Sequence, residues 1–372
     1  MKTILFLTGT RADFGKLKSL MMAAENSDKF IVKIFVTGMH LSNKYGRTID
    51  EVYKCEFSNI FPYINHDSID YMDRTLAKTI DGLSHYISGD HPDLIVIHGD
   101  RVEALAGAIV GSLNNILVAH VEGGELSGTV DEIIRHAISK MAHIHLVSNH
   151  SAAKRVLQMG ELPSSIHVIG SPDLDVMLSQ NLTSLEHVKD YYRIEFDDYA
   201  IVLFHPVTTE LEKWKQNTEE VVQSLVLSER NYIVVYPNND IGSDIILRCY
   251  DKIKDNTRFR IFPSIRFEYF LVLLKNASFI IGNSSAGVRE APYYGVSTID
   301  IGTRQLNRAS WPTILHCDYS RDDILNCISN VKPGQPASAD FFGRGDSHIK
   351  FLELIESDVF WAVKHQKQFN EI

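Results

Sequence analysis

Little in this chain of 372 residues points to a metal, a disulfide framework or a membrane. It has four cysteines, Cys55, Cys249, Cys317 and Cys327, and no CxxC pair, which argues against the usual zinc and disulfide spacings. No run approaches the ~20 apolar residues of a membrane span. The start, Met1 to Gly9, carries one lysine and an apolar run shorter than the ~7 residues of a signal-peptide core, so the cytoplasm is the expected compartment. Positive charge is in deficit. The formal net charge of -10 disfavours nucleic-acid binding, and any anionic substrate then requires a local basic lining. The dinucleotide fingerprint GxGxxG and the zinc motif HExxH are also missing. Residues Gly9…Gly15-Lys16 are spaced one position too far for a P-loop, and Leu17 stands where Ser or Thr is needed. No metal and no cofactor is expected. There is no repeat or low-complexity tract, and the length suggests two domains of ordinary globular composition.

What the chain does have is an alternation of short apolar runs and helical stretches. Ile4–Leu7, Ile31–Val36, Leu94–Ile97, Ile116–Ala119, His143–Val147 and His167–Ile169 read as strands of one series. After a polar stretch over 178–198, a second series begins at Ala200–Phe204 and continues through Tyr232–Tyr236, Phe259–Phe262, Phe279–Gly282 and Thr298–Ile301. This is the rhythm of doubly wound parallel sheets. The fold class is therefore α/β, two Rossmann-like domains with a ligand cleft between them. Residues 1–170 are expected to form the first domain and 171–357 the second. A helical segment over 349–369 is also expected, with a C-terminal helix 358–372 packed back on the first domain.

The most informative stretch is acidic. His98-Gly99-Asp100-Arg101 follows the run Leu94–Ile97, and His120-Val121-Glu122-Gly123-Gly124-Glu125-Leu126-Ser127-Gly128-Thr129-Val130-Asp131 follows Ile116–Ala119. In open parallel sheets, ligands bind beyond the carboxyl ends of the strands. Asp100, Glu122 and Asp131 are thereby expected to converge on one crevice. Several carboxylates there suit proton transfer, because burial and neighbouring charge separate their pKa values.

Other strand ends carry weaker signals. The turn Thr8-Gly9-Thr10-Arg11-Ala12-Asp13 opens a helix, where backbone N–H groups favour an anion, but an ordinary connection with solvated Arg11 and Lys16 fits it equally. At Gly282-Asn283-Ser284-Ser285-Ala286-Gly287-Val288-Arg289-Glu290, small residues admit phosphate oxygens to the backbone, while a plain N-cap at Ser284 or Ser285 is the alternative. Glu290 is expected to accept from ribose hydroxyls, as acids do in dinucleotide folds. His205 ends the first strand of the second half, Asn238 and Ile265 follow later strands, and Arg304 follows Asp300-Ile301-Gly302-Thr303. His136, His143 and His145 lack metal-ligand spacing and read as structural.

Together, Gly9-Thr10-Arg11-Ala12-Asp13, His98-Gly99-Asp100-Arg101, Glu122 to Thr129, His205-Pro206-Val207-Thr208-Thr209 and Gly282-Asn283-Ser284-Ser285 resemble the hydrolysing UDP-N-acetylglucosamine 2-epimerases, above all the bacterial enzymes of sialic acid and capsule synthesis. The resemblance runs from Thr8 to about Arg304 and implies a GT-B-like pair of domains and a homodimer. It also implies conversion of UDP-GlcNAc and water to ManNAc and UDP, by anti elimination to 2-acetamidoglucal followed by syn hydration. Carried over by position, Asp100, Glu122 and Asp131 are the acid/base set, with Glu122 and Asp131 handling protons. His205 faces the leaving phosphate. Arg11, Lys16, Arg101, Asn238, Ser284, Ser285, Gly287, Glu290 and Arg304 hold UDP, with the backbone near Ile265 at the uracil.

Four alternatives stay open at this point. The same chemistry on UDP-N,N'-diacetylbacillosamine differs only at sugar C4 and C6. A non-hydrolysing epimerase would retain UDP on its product. A GT-B glycosyltransferase would share the nucleotide site but needs one base rather than three acids. A regulatory protein would bind the nucleotide sugar without turnover.

Overall fold

A computed structural model of the chain describes every residue except 67–70, 128–129, 180, 306–310, 333, 335–341 and 372, and the side chain of Leu211. Gly128 and Thr129 of the acidic stretch and Ile372 at the end of the chain lie outside the described residues.

The apolar runs become strands because side chains apolar on both faces are covered on both only inside a parallel sheet. The first sheet contains β1 (Lys2–Thr8), β2 (Phe30–Val36), β3 (Ile60–Pro62), β4 (Leu94–His98), β5 (Leu117–Val121), β6 (Ile144–Val147) and β7 (Ile166–Val168). Its order is β3-β2-β1-β4-β5-β6-β7, with every pair parallel. The second contains β8 (Ala200–Leu203), β9 (Tyr232–Val235), β10 (Phe259–Phe262), β11 (Phe279–Gly282), β12 (Ser297–Ile301) and β13 (Ile314–Cys317). Its order is β10-β9-β8-β11-β12-β13, again all parallel. Counted from its own first strand, each sheet runs 3-2-1-4-5-6, the doubly wound order, and the first adds a seventh strand at its edge. The molecule is thus two Rossmann-like α/β domains.

Strands β3 and β13 were not expected. Both are edge strands, and neither is buried on both faces: Phe61, Pro62 and His316 are exposed. Proline at an edge also has no N–H to give to a ladder.

Each domain has its own core. In the first, Phe6, Val32 and Val96 of the sheet pack with Leu17 and Leu20 of helix Arg11–Glu25 and with Phe351 and Ile355 of helix Ser347–Glu356. In the second, Trp214 is fully buried and stacks on Phe204 at 5.1 Å between centroids. Burying side chains of this size stabilises by roughly 1.5–3 kcal/mol each.

The chain divides into one compact unit of Met1–Glu125, Asp131–Gln180 and Ala339–Ile372, and a second of Leu126–Val130 and Asn181–Ser338. The boundary expected at residue 170 is therefore too early, and the C-terminal return begins well before residue 358. The reason is packing. Helix Asp173–Met177 lies against helix Arg11–Glu25, and Asp173 pairs with Lys16 at 3.1 Å. Ser171 N–H donates to the Phe342 carbonyl, and the Asp175 carboxylate accepts from the backbone N–H groups of Ser347 and His348 at 2.9 Å, capping the returning helix. The expected helical segment over 349–369 is two helices, Ser347–Glu356 and Asp358–Trp361, followed by a non-helical tail. The tail is held by Lys367, which pairs with buried Glu161, and by Asn370 N–H, which donates to the Gly160 carbonyl. Among the described residues, no helix is long and apolar enough to cross a membrane.

Candidate active site

In each sheet the strand order reverses between its first and fourth strands, and a crevice opens there beyond their carboxyl ends. In the first domain this point lies between β1 and β4, and in the second between β8 and β11. The residues that follow are Gly9-Thr10-Arg11 and Gly99-Asp100-Arg101 in one, His205 and Asn283-Ser284 in the other.

The turn after β1 is already filled. Asp13 accepts from Gly9 N–H at 3.0 Å, from Thr10 N–H at 2.9 Å and from the Thr8 hydroxyl at 2.7 Å. Thr10 caps the helix in return, accepting from Asp13 N–H. Of the two equal readings of this turn, the ordinary connection fits the Gly9 and Thr10 N–H groups, which donate to the chain's own carboxylate because Thr10-x-x-Asp13 is a capping box. Lys16 is not solvated: it is buried and paired with Asp173. Arg11 is the first residue of the helix, and Arg101 pairs with buried Glu103 at 3.1 Å.

The acids are placed by the sheet. Glu122 directly follows β5 and has φ 63°, the left-handed region, which costs a residue with a side chain about 1–3 kcal/mol and recurs at functional sites. Gly123 permits this turn, because a Cβ there would lie 2.7 Å from Ser139 Oγ and 2.8 Å from His120 Nδ1. The buried Glu122 carboxylate accepts from His98 Nε2 at 3.0 Å and from the Ser171 hydroxyl. Asp100 leaves β4 and pairs with Arg135, which is only 1% exposed. Arg135 also donates to the Glu125 carbonyl at 3.1 Å. Asp131 lies in the first turn of helix Val130–Met141, one turn before Arg135. Burial alone would favour loss of the Arg135 proton. Asp100, Glu125 and Asp131 together reverse that and hold it more firmly cationic. Beneath them, buried His120 donates from Nε2 to the Gly99 carbonyl at 2.7 Å and accepts from Ser139 at Nδ1. Burial pushes it down to about 3, against the bond to Gly99, so it is a neutral strut.

The second domain gathers its residues on Asn283, which is fully buried. The Asn283 side chain accepts from His205 N–H at 2.7 Å and donates to the His205 carbonyl at 2.9 Å. Its backbone N–H donates to the Leu203 carbonyl, and its own carbonyl accepts from Arg304 at 3.2 Å and Gln305 at 2.8 Å. Asn238 N–H donates to His205 Nδ1 at 3.0 Å. In a neutral ring the proton is then on Nε2, which makes that nitrogen a donor. The Asn238 side chain is engaged by Asp240. Ser284 caps a four-residue helix by accepting from Ala286 N–H at 3.3 Å, and Ser285 opens that helix. Gly287 has a packing reason to be small: a Cβ would lie 2.5 Å from Thr298 Cγ2, and Thr298 Oγ1 donates to its carbonyl at 2.6 Å. Glu290 begins the next short helix and is buried, and Ile265 is a buried residue after β10.

The first domain thus joins Asp100 and Asp131 through Arg135 and holds Glu122 on His98 and Ser171, and the second brings together His205, Asn238, Asn283 and Arg304. Arg135, His98, Ser171 and Asn283 were not singled out from the sequence. His98 and Asn283 sat inside quoted motifs. Arg135 carried the signal of an i, i+4 partner to Asp131 on an amphipathic helix. Ser171 had none, because only the fold brings it to Glu122.

The chain matches the family model described as UDP-N-acetylglucosamine 2-epimerase over residues 22–356. It is 49% identical to the UDP-N-acetylglucosamine 2-epimerase of Neisseria meningitidis serogroup B, each covered over its full length. It is 32% identical to the UDP-N,N'-diacetylbacillosamine 2-epimerase (hydrolyzing) of Legionella pneumophila, with 96% of each chain covered. Its fold is similar to that of the UDP-GlcNAc 2-epimerase of Methanocaldococcus jannaschii crystallised with UDP-GlcNAc and UDP: TM-score 0.81 at 22% identity, covering 96% of this chain and 99% of that one. Doubly wound order in both sheets, the family model over residues 22–356 and the full-length match to the N. meningitidis enzyme agree: the chain belongs to the UDP-N-acetylglucosamine 2-epimerase family.

Proposed function

We propose that the protein converts UDP-N-acetylglucosamine and water to N-acetylmannosamine and UDP, the step that supplies sialic acid synthesis. The observation that carries this reading is the buried Glu122 carboxylate in a left-handed turn after β5, the strand next to the one that Asp100 follows. The likeness to the N. meningitidis epimerase and to the polysialic acid biosynthesis protein P7 of Escherichia coli (32% identical) supports the substrate and pathway. The likeness to the hydrolysing epimerase of L. pneumophila supports hydrolysis.

The chemistry follows from the substrate. C2–H of the sugar has no neighbouring carbonyl to acidify it. As the C1–O bond to UDP breaks, positive charge grows at C1 and C2–H becomes labile. A carboxylate takes that proton, the C1=C2 bond of 2-acetamidoglucal forms, and UDP departs with the bonding electrons. Water then adds its oxygen to C1 and gives up one proton to a carboxylate, while a protonated acid returns a proton to C2 on the face that gives the manno configuration. Glu122 and Asp131 handle the protons, and Asp100 orients. Buried carboxylates stabilise the cation without reorganising. His205, donating from Nε2, steadies the phosphate, while Arg11, Arg101, Ser284, Ser285, Glu290 and Arg304 hold UDP. The backbone near Ile265 meets the uracil. Asn238 acts chiefly by fixing the His205 ring, and Gly287 by letting its helix sit on β12.

Incubation with UDP-GlcNAc and no acceptor tests this. Release of UDP with free ManNAc is expected. UDP-ManNAc as the product would establish the non-hydrolysing reaction instead, and turnover of UDP-N,N'-diacetylbacillosamine alone would move the substrate.

A further inference from the structure

We propose that Arg135 is the positioning residue of the acid cluster: it holds Asp100 as its counter-ion and sets the places of Asp131 and the loop after Glu122, leaving proton transfer to Glu122 and Asp131. The inference rests on the reading of the site given above. A guanidinium that is 1% exposed is costly unless it is paired on several sides. Arg135 has such pairing from three chain segments. It bonds the Asp100 carboxylate after β4 and the Glu125 carbonyl in the loop after β5, and it sits one helical turn after Asp131. Glu125 is itself fixed, since its carboxylate accepts from the Ser148 hydroxyl, just beyond β6, at 2.8 Å. One planar fork thus joins the ends of neighbouring strands to the start of the helix that carries Asp131. Lysine lacks that fork and cannot make the same set of bonds.

The fork also balances charge. Asp100, Glu125 and Asp131 all act electrostatically on Arg135. Like-charged carboxylates near one another without a cation drive one of them to take up a proton. Glu122 accepts from an imidazole and a hydroxyl. The fork thus fixes Asp100 directly and Asp131 through its own helix.

The test uses the full chain and its Arg135→Gln and Arg135→Lys variants. UDP release gives kcat, and calorimetry gives the UDP dissociation constant. Misplacing reacting groups by about 1 Å costs roughly 100-fold, so Arg135→Gln is expected to lose ~100-fold in kcat and Arg135→Lys ~10-fold. UDP affinity is expected to stay within about threefold, since an interaction made at the acids alone is lost from kcat and not from nucleotide binding. The Asp100→Asn/Arg135→Gln double variant is expected to lose no more than the Arg135→Gln single, as coupled residues do. Should Arg135→Gln fail to fold, Arg135→Lys keeps the buried charge and decides. A wild type that releases no UDP from UDP-GlcNAc or from UDP-N,N'-diacetylbacillosamine overturns the reading, and this assignment with it. An active wild type whose Arg135→Lys variant turns over at the wild-type rate overturns the assignment alone, as does Arg135→Gln losing UDP affinity in step with kcat.

Discussion

The two domains share one strand order and differ in what stands at the point where it reverses. In the first, side-chain carboxylates dominate: Asp13 occupies the turn after β1, Asp100, Glu125 and Asp131 act on a buried arginine, and Glu122 accepts from His98 and Ser171. In the second, a neutral amide, Asn283, joins the ends of β8 and β11 and directs His205 and Arg304 around itself. Asp13 takes the Gly9 and Thr10 N–H groups of the first turn. At the second, an amide gathers the His205 backbone and the Arg304 guanidinium around itself. On the proposed function, the same topology carries the proton-handling acids in one domain and most of the UDP-holding residues in the other, and topology alone does not distinguish them.

Substitutions can break this division. The largest effect is expected from Glu122→Gln, which should lower kcat by roughly 10³-fold, within the range of a lost general base, while UDP binds as before. Single-turnover measurement with a parallel binding titration checks it. Next is Gly287→Ala. The new Cβ meets Thr298 Cγ2, and overpacking of this kind costs about 1–3 kcal/mol, read as a lower urea midpoint. The Gly287→Ala/Thr298→Ser double variant should recover both stability and UDP affinity if packing is what requires glycine. Recovery of stability without affinity would return Gly287 to the phosphate. His205→Ala should weaken UDP binding about tenfold, near the ~1.5 kcal/mol of one hydrogen bond to a charged group, with less effect on the acids of the other domain.

The smallest effect concerns pH. Burial pushes His120 down to about 3 and His40 to about 4, from an ordinary 6.5. Between those values and 6.5 the unfolded chain binds the extra protons, so stability is present above pH 6.5 and declines as pH falls towards 4. Asp300, raised by burial to about 6 against the pull of His316, contributes in the opposite sense over the same interval. Urea midpoints measured from pH 7 to 4 should therefore fall, and His120→Asn should flatten the slope by about one proton.

Much of this was legible in the sequence. Strands buried on both faces, such as Leu94–Ile97 and Phe279–Gly282, announce themselves as continuous apolar runs, and polar residues directly after them mark the site. Asp100, Glu122 and His205 stand in such positions. The edge strands β3 and β13 were not, because half-exposed strands alternate with polar residues and turns. The turn at Thr10 and Asp13 looked like an anion site because the same N–H groups serve a ligand or a cap, and only the side-chain direction decides. The domain boundary was displaced because the bonds that set it, Lys16 to Asp173 and Asp175 to Ser347, join residues far apart in sequence. Arg135 and Ser171 escaped for the same reason.

Turnover of UDP-GlcNAc in deuterated water, followed by NMR, tests the central claim most directly. Acid-mediated elimination and hydration predict free N-acetylmannosamine carrying deuterium at C2, formed together with UDP and abolished by Glu122→Gln. Product with protium at C2, or product still joined to UDP, would contradict it.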